Sequence, residues 1–439
     1  MLCRLKKWLT NHLSITVQNI SWLLIGRIYY LFINTISSIF IVRYLGPDNN
    51  GIYSYAIAFS SLFSGLSIMG LDNILIKEFC NPKKNQKDII IASLIIRGIG
   101  TGIAFIILYI STQFMKLELT MQIYIFASGI TLIFNSLSSV SSWFYSKSKA
   151  KYIVIAQSFA YSLTFIIKIC LIIANYGLFS FILVYVGETA LTIIYEWIIF
   201  FKLEGNHFLK LKTVAIIQEV RNLFVQGWPI IFGSVANMIY LKSDQIMIGQ
   251  ILNNHELGIY SVAVKLAEVW YFVPSAIATA VMPHLTNLKL SDSKAFEKCL
   301  QKYMSIFVGF GYLIGVLMSL FSQPLILILY GSEYIEASQI LCVYIWAGVF
   351  INMSVLRGQY YVIMEITEYS MWTNLIGALT NILLNLLLIP IIGGIGAAIA
   401  TCISYALYAY FSSFLFPKLH DIGKIETKSL FLKGLWEKL

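Results

Sequence analysis

Charge is scarce in this chain. Only 12% of its 439 residues are Asp, Glu, Lys or Arg, against about 25% in a soluble domain. That shortage excludes a protein solvated by water on all sides. Cysteine is sparse and scattered: Cys3, Cys80, Cys170, Cys299, Cys342 and Cys402 show no CxxC or Cys/His spacing. Neither a zinc site nor a disulfide framework is supported. The five histidines, His12, His207, His255, His284 and His420, are dispersed and offer no cluster for acid–base chemistry.

What the chain has in excess is apolar surface. The hydrophobic fraction is 58% and the mean hydropathy +0.78. A membrane-spanning helix needs about 20 apolar residues. Twelve such runs can be read, near 22–44, 51–75, 89–112, 121–144, 152–174, 178–201, 229–251, 257–282, 303–329, 337–364, 370–390 and 395–416. The first is too long for a signal-peptide core and lacks a small-residue cleavage site, so it reads as a retained span.

The net charge of +10 is not spread evenly. Arg4, Lys6 and Lys7 precede the first run. Every second connection is then basic, through Lys77, Lys83, Lys84 and Lys87, then Lys147, Lys149 and Lys151. Lys202, Lys210, Lys212 and Arg221 follow, then Lys289, Lys294, Lys298 and Lys302, and finally five lysines of the tail. That makes 23 basic residues on one side, against Arg43 and Lys116 on the other. The connection at 365–369 is the exception, with Glu365 and Glu368 and no basic residue. Positive charge stays in the cytoplasm, which predicts two cytoplasmic termini and an even span count. The same asymmetry argues for a membrane protein rather than a nucleic-acid binder.

A short phrase occurs twice. Gly51-Ile52-Tyr53-Ser54-Tyr55-Ala56 returns 207 residues later as Gly258-Ile259-Tyr260-Ser261-Val262-Ala263. Both copies open a span on the outer face and run in the same direction, which predicts parallel repeats about an axis along the membrane normal. The expected organisation is a six-helix lobe at 1–201, a cytoplasmic linker at 202–226, a second six-helix lobe at 227–416 and a basic cytoplasmic tail at 417–439. The linker contains an amphipathic segment, 211–225, whose Val214, Ile217, Val220, Leu223 and Phe224 recur at helical spacing and suit a membrane surface.

Eleven ionisable residues fall within or near the spans: Arg27, Arg97, Lys168, Lys242, Lys265, Arg357, Asp72, Glu188, Glu196, Asp244 and Glu268. A charge at mid-bilayer costs about 2.5–3.5 kcal/mol on insertion scales. Such groups should face a partner or a watery cavity. Asp72 and Arg357 lie close enough to the cytoplasmic headgroups to snorkel. Arg27 sits deeper and is a candidate for the cavity, as is Arg97. Lys168 and Glu188 occupy adjacent spans and either neutralise each other or serve the cavity. The repeat sharpens the reading of the remaining four. Lys242, Asp244, Lys265 and Glu268 correspond to Thr35, Ser37, Ala58 and Ser61 in the first half. One copy is built without these charges, so the fold does not require them. By depth, Asp244 matches Lys265 and Lys242 matches Glu268, so a charge lock between two spans and a cationic, ion-responsive site both remain open. Lys265 and Glu268 share a helix face. The 27 Tyr and 29 Phe are abundant; they define no site by themselves, although a sugar-handling cavity would use aromatic walls.

The stretch Arg43-Tyr44-Leu45-Gly46-Pro47-Asp48-Asn49-Asn50-Gly51-Ile52-Tyr53-Ser54-Tyr55-Ala56 resembles the signature after the first span of O-antigen (Wzx-type) polysaccharide flippases. These belong to the multidrug/oligosaccharidyl-lipid/polysaccharide flippase superfamily. Gly394-Ile395-Gly396-Ala397-Ala398-Ile399-Ala400-Thr401 fits the same family. The resemblance implies an all-α membrane protein of twelve transmembrane helices, in two six-helix lobes around a cationic lumen, with a MATE-like fold. It implies no enzymatic chemistry. It implies movement of an undecaprenyl-diphosphate-linked oligosaccharide from the cytoplasmic to the outer leaflet of the bacterial inner membrane, for O-antigen or a related polysaccharide.

Arg27, Lys242, Lys265, Arg97 and Lys168 are then the expected diphosphate-binding cations, because Arg and Lys suit phosphate oxygens in a low-dielectric cavity. Asp244, Glu268 and Glu188 are the ion-coupling candidates for a proton or sodium gradient. No cofactor, metal or nucleic acid is expected; membrane lipids and other polysaccharide assembly proteins are the expected partners. Two alternatives stand beside this. A multidrug antiporter of the same fold would be expected to carry an acid in the first span, where this chain has Arg27 and no acid between residues 15 and 44. A membrane polymerase would be expected to show a sizeable outside loop with catalytic groups, and the outside connections here are short.

Overall fold

The computed structural model describes the backbone of residues 2–205 and 213–435. Residues 206–212 of the expected linker lie outside the described residues, as do the side chains of Arg4, Lys6 and Lys7. Among the described residues every regular element is helical. Among the described residues nine helical stretches are long and apolar enough to cross a membrane, and a pair bent by 49°, Ile216–Trp228 with Gly233–Ile251, makes a tenth. Two of the nine are far longer than one crossing needs. Ser21–Phe79 has 59 residues and breaks at Gly46, whose φ is 69°, before Pro47. Glu368–Leu415 has 48 residues and breaks at Ile392 and Gly393. Large apolar side chains such as Leu320, Leu387 and Ile391 are more than half exposed. They have lipid rather than water as their solvent, so the chain is a multi-pass membrane protein.

The chain divides into two compact units. The first comprises residues 1–44 and 56–238, the second residues 45–55 and 239–439. The first unit is built on a buried aromatic cluster. Trp143 lies with its ring centroid 5.1 Å from that of Phe144 and 5.0 Å from that of Phe200, and its indole N–H donates to Gln86. The segment after residue 213 belongs to this unit and adds Leu223 to the same core, while Ile217 and Phe224 stay exposed.

In the second unit the expected tail is instead part of the core. Leu419, Ile422 and Ile425 pack against Phe296, Leu300, Met304 and Tyr360. The helix His420–Leu430 carries them on one side and Lys424 and Lys428 on the other. Gln301 donates to the Ser429 hydroxyl at 2.7 Å, and Tyr312 to the Leu430 carbonyl at 3.1 Å. The charge pattern concealed this because Lys418, Lys424, Lys428 and Lys433 are all exposed.

Arg357 does not snorkel. Its side chain is fully buried, lies 5.3 Å and 5.1 Å from the ring centroids of Tyr361 and Tyr408, and donates to Ser412, Ser413 and the Tyr408 carbonyl. A π-helical turn at Leu407–Phe411 lies beside it and includes Tyr408. Glu426 of the C-terminal helix approaches Arg357 to 3.9 Å and accepts from Ser413. Burial pushes the Glu426 carboxyl up to about 7, and Arg357 and Ser413 offset this only in part. An acid raised by the fold stabilises it fully below the ordinary carboxylate range and loses that contribution as pH rises through about 7. The melting temperature of the solubilised protein should therefore fall between about pH 5 and about pH 8, and Glu426→Gln should flatten that slope. An equal slope in the variant would assign the pH dependence to other groups.

Candidate functional site

In the first unit, the antiparallel helices Ala150–Ile173 and Leu178–Glu204 bring Lys168 and Glu188 together. The ammonium lies 3.0 Å from the carboxylate, which also accepts from Thr164 at 3.0 Å. The pair is mostly shielded, so the two charges largely cancel. Arg27 is exposed and stands 5.6 Å from the ring centroid of Tyr30. Tyr30 is in turn 4.8 Å from Tyr161, and its hydroxyl accepts from Asn34 at 2.7 Å. Arg97 is different. It is fully buried, donates to Asp72 at 2.6 Å and to Ser138 at 2.8 Å, and so offers no charge to a passing ligand. Asp72 is the half-exposed partner that neutralises it.

The second unit holds a polar centre around Asp244. This residue is buried and is held by neutral donors. Its Oδ2 accepts from Tyr260 at 2.9 Å and from Thr401 at 2.6 Å, and its Oδ1 accepts from Asn385 at 2.7 Å. Asn381 accepts from Ser243 and from Asn385. The single Thr401 proton is shared between Asp244 and the Ala397 carbonyl, 2.9 Å away, and the Asn385 Oδ1 is buried with no partner. A buried carboxylate with amide and hydroxyl oxygens clustered about it offers the hard ligand types that a small cation takes. The expectation named Asp244 but missed Asn381, Asn385 and Thr401. The signal was present: two Asn four residues apart share a helix face inside an otherwise apolar run.

Glu268 is exposed, with Lys242, Lys265 and Tyr344 within electrostatic reach. Lys242 is half-buried and Lys265 exposed. In the second unit Lys242 and Lys265 thus lie within reach of Glu268, and in the first Lys168 pairs with Glu188 while Arg27 stands beside Tyr30. Two cavities open near the repeat. One of 450 Å³ is lined by Glu256 and Glu336, and one of 410 Å³ by Asp48 and Glu333. Both are acidic and would repel a phosphate group. Among the described residues no group of three or more His, Cys, Asp or Glu is placed to hold a metal ion.

The repeated phrases meet in the second unit. A Cβ on Gly51 would stand 1.7 Å from the Asn254 carbonyl oxygen, and one on Gly258 would stand 2.0 Å from that of Pro47. Only glycine allows these backbones to approach so closely. Asn50 secures the contact by donating to the Gly258 carbonyl at 2.9 Å.

Comparison with known proteins agrees with this architecture. The sequence profile described as "Polysaccharide biosynthesis protein" matches residues 16–289, and that of MatE matches residues 229–387. The capsular polysaccharide biosynthesis protein CapF of Staphylococcus aureus is 23% identical over 90% of this chain and 98% of its own length. The probable low-salt glycan biosynthesis flippase Agl15 of Haloferax volcanii is 25% identical over 50% of this chain; the alignment spans about half, 48%, of that relative. Among solved structures, the lipid II flippase MurJ in an inward closed conformation superposes with a TM-score of 0.67 at 19% identity, over 94% of this chain and 91% of its own. An inward-facing multidrug resistance MATE transporter gives 0.66 at 12% identity, over 93% of this chain and 96% of its own. The fold is of the MATE and MurJ kind.

Proposed function

Because the chain belongs to the polysaccharide biosynthesis protein family, we propose that it is a flippase that moves an undecaprenyl-diphosphate-linked oligosaccharide from the cytoplasmic to the outer leaflet of a bacterial inner membrane. The product would feed O-antigen or a related surface polysaccharide. The observation that carries this reading is that Arg27 and Lys265 lie inside apolar runs and are nevertheless exposed. Lipid does not tolerate such charges, so they face a wet passage. An anionic diphosphate is the cargo they fit. Lys242 joins them, and Lys168 contributes to the extent that Glu188 releases it.

Twelve spans follow if the stretches broken at Gly46 and at Gly393 count as two each and the bent pair counts as one. We place them as two six-helix lobes, 1–201 and 227–416, related by a pseudo-twofold axis along the membrane normal, with both termini cytoplasmic. The Asp244 centre is the coupling site. Its oxygen atoms take sodium or a proton, and the charge gained or lost there biases one conformation over another.

Charge reversal tests the reading. Arg27→Glu and Lys265→Glu should each lower surface polysaccharide more than about tenfold in a strain that depends on this gene, since one reversal replaces attraction of the diphosphate by repulsion. Unchanged polysaccharide with both residues reversed would remove them from the transport path. The antiporter alternative is disfavoured by the same cations, which repel an organic cation.

A further inference from the structure

Glu268 was expected to couple ions, but its surroundings differ from those of Asp244. Asp244 is buried among neutral oxygens and amides. Glu268 is exposed, with tyrosines nearby. Tyr344, Tyr271 and Tyr405 lie within electrostatic reach of it, and Tyr271 follows it by three residues along the chain. The rings are held from behind. Tyr344 meets Tyr260 edge-on, with centroids 6.2 Å apart at 83°. Tyr271 packs over Gly348, where a Cβ would come within 3.3 Å of its ring. The Tyr271 hydroxyl is buried and has no hydrogen-bond partner. A buried donor without an acceptor is rare in folded proteins and asks for a partner from outside.

Tyrosines around a carboxylate would ordinarily suggest an aromatic cage for an organic cation. Lys242 and Lys265 beside Glu268 exclude that ligand by repulsion. They favour one that is anionic at one end and rich in hydroxyls at the other. Sugars present hydroxyls to carboxylates and apolar C–H faces to aromatic rings. We propose that Glu268, Tyr271, Tyr344 and Tyr405 form a glycan-reading subsite next to the diphosphate-binding lysines Lys242 and Lys265, so that Glu268 determines specificity and does not couple ions. This rests on the flippase reading above.

The experiment uses the full chain in nanodiscs and two probes, undecaprenyl diphosphate and undecaprenyl-diphosphate-linked N-acetylglucosamine. Affinities are read by native mass spectrometry at fixed sodium. The wild type should prefer the glycosylated probe by about tenfold. Glu268→Gln and Tyr271→Phe should reduce that preference below about twofold. Glu268→Gln should bind the bare diphosphate at least as tightly as wild type, because an anion has left the lysines; this also shows that the variant is folded. A preference that survives both substitutions, or equal weakening of both probes, overturns the subsite. Loss of sodium or proton dependence of transport in Glu268→Gln overturns it too, by returning Glu268 to coupling. A wild type that binds both probes equally overturns the subsite alone, and one that binds neither overturns the flippase reading with it.

Discussion

Asp244→Asn should leave a folded protein whose transport no longer responds to an imposed sodium or proton gradient and falls by about a hundredfold. A buried carboxylate held by three donors is a stable anion only if the site is organised for negative charge, and here Tyr260, Thr401 and Asn385 supply the donors. Asparagine has nearly the same shape and keeps an acceptor oxygen, but it lacks the charge that would hold a cation. A hundredfold loss corresponds to roughly 2.7 kcal/mol, well within the range for losing one charged contact of a bound ion. Asp244→Ala should do more, because it strands the three donors. Each buried group left unpaired costs about 1–3 kcal/mol, so the alanine variant should also melt several degrees lower. Flux into proteoliposomes, with the gradient imposed or collapsed, separates the two effects. Undiminished gradient dependence in Asp244→Asn would move the coupling site elsewhere.

The second large effect concerns the contact between the two copies of the repeated phrase. Gly258→Ala would place a methyl group 2.0 Å from the Pro47 carbonyl, and Gly51→Ala would place one 1.7 Å from that of Asn254. The obstructing atoms are backbone, so no rotamer change relieves the clash. Overpacking typically costs about 1–3 kcal/mol, and backbone against backbone lies at or beyond the upper end. The conformation seen here should lose population to forms in which the two phrases separate, since a destabilisation of 1.4 kcal/mol shifts such an equilibrium about tenfold. Transport should fall at least about tenfold in either variant by the same conversion. A cysteine at position 50 should become reactive to a water-soluble maleimide. Gly102 has nothing within 4 Å of its Cβ position, so Gly102→Ala should be silent. Full transport and an unreactive cysteine in Gly258→Ala would show that this contact is not part of the working cycle.

Much of the architecture was legible in the residues. The apolar runs, the paired phrases, and Gly46-Pro47 and Gly393-Gly394 as breaks all follow from composition and local turn chemistry. The candidate charges were legible as a set, but their roles were not. Depth alone allowed Asp244 to meet Lys265, whereas the structure surrounds Asp244 with Tyr260, Asn385 and Thr401. Arg97 and Arg27 were both candidates for the cavity from sequence; one is buried against Asp72 and the other is exposed. The basic C-terminal residues read as a cytoplasmic tail, and the helix they decorate fills part of the second unit's core.

The division has a physical cause. Transfer from water to lipid is a property of each side chain and its immediate neighbours along the chain, so the membrane character, the spans and the charge asymmetry were determined by the sequence by itself. Whether a buried charge is cancelled, solvated or poised for a ligand depends on groups a few ångströms away in space. Coulomb and hydrogen-bond energies vary steeply over that distance. Helices remote in sequence bring Arg357 to Glu426 and Asn385 to Asp244, and only the tertiary structure could decide which charges are locked and which are left to act.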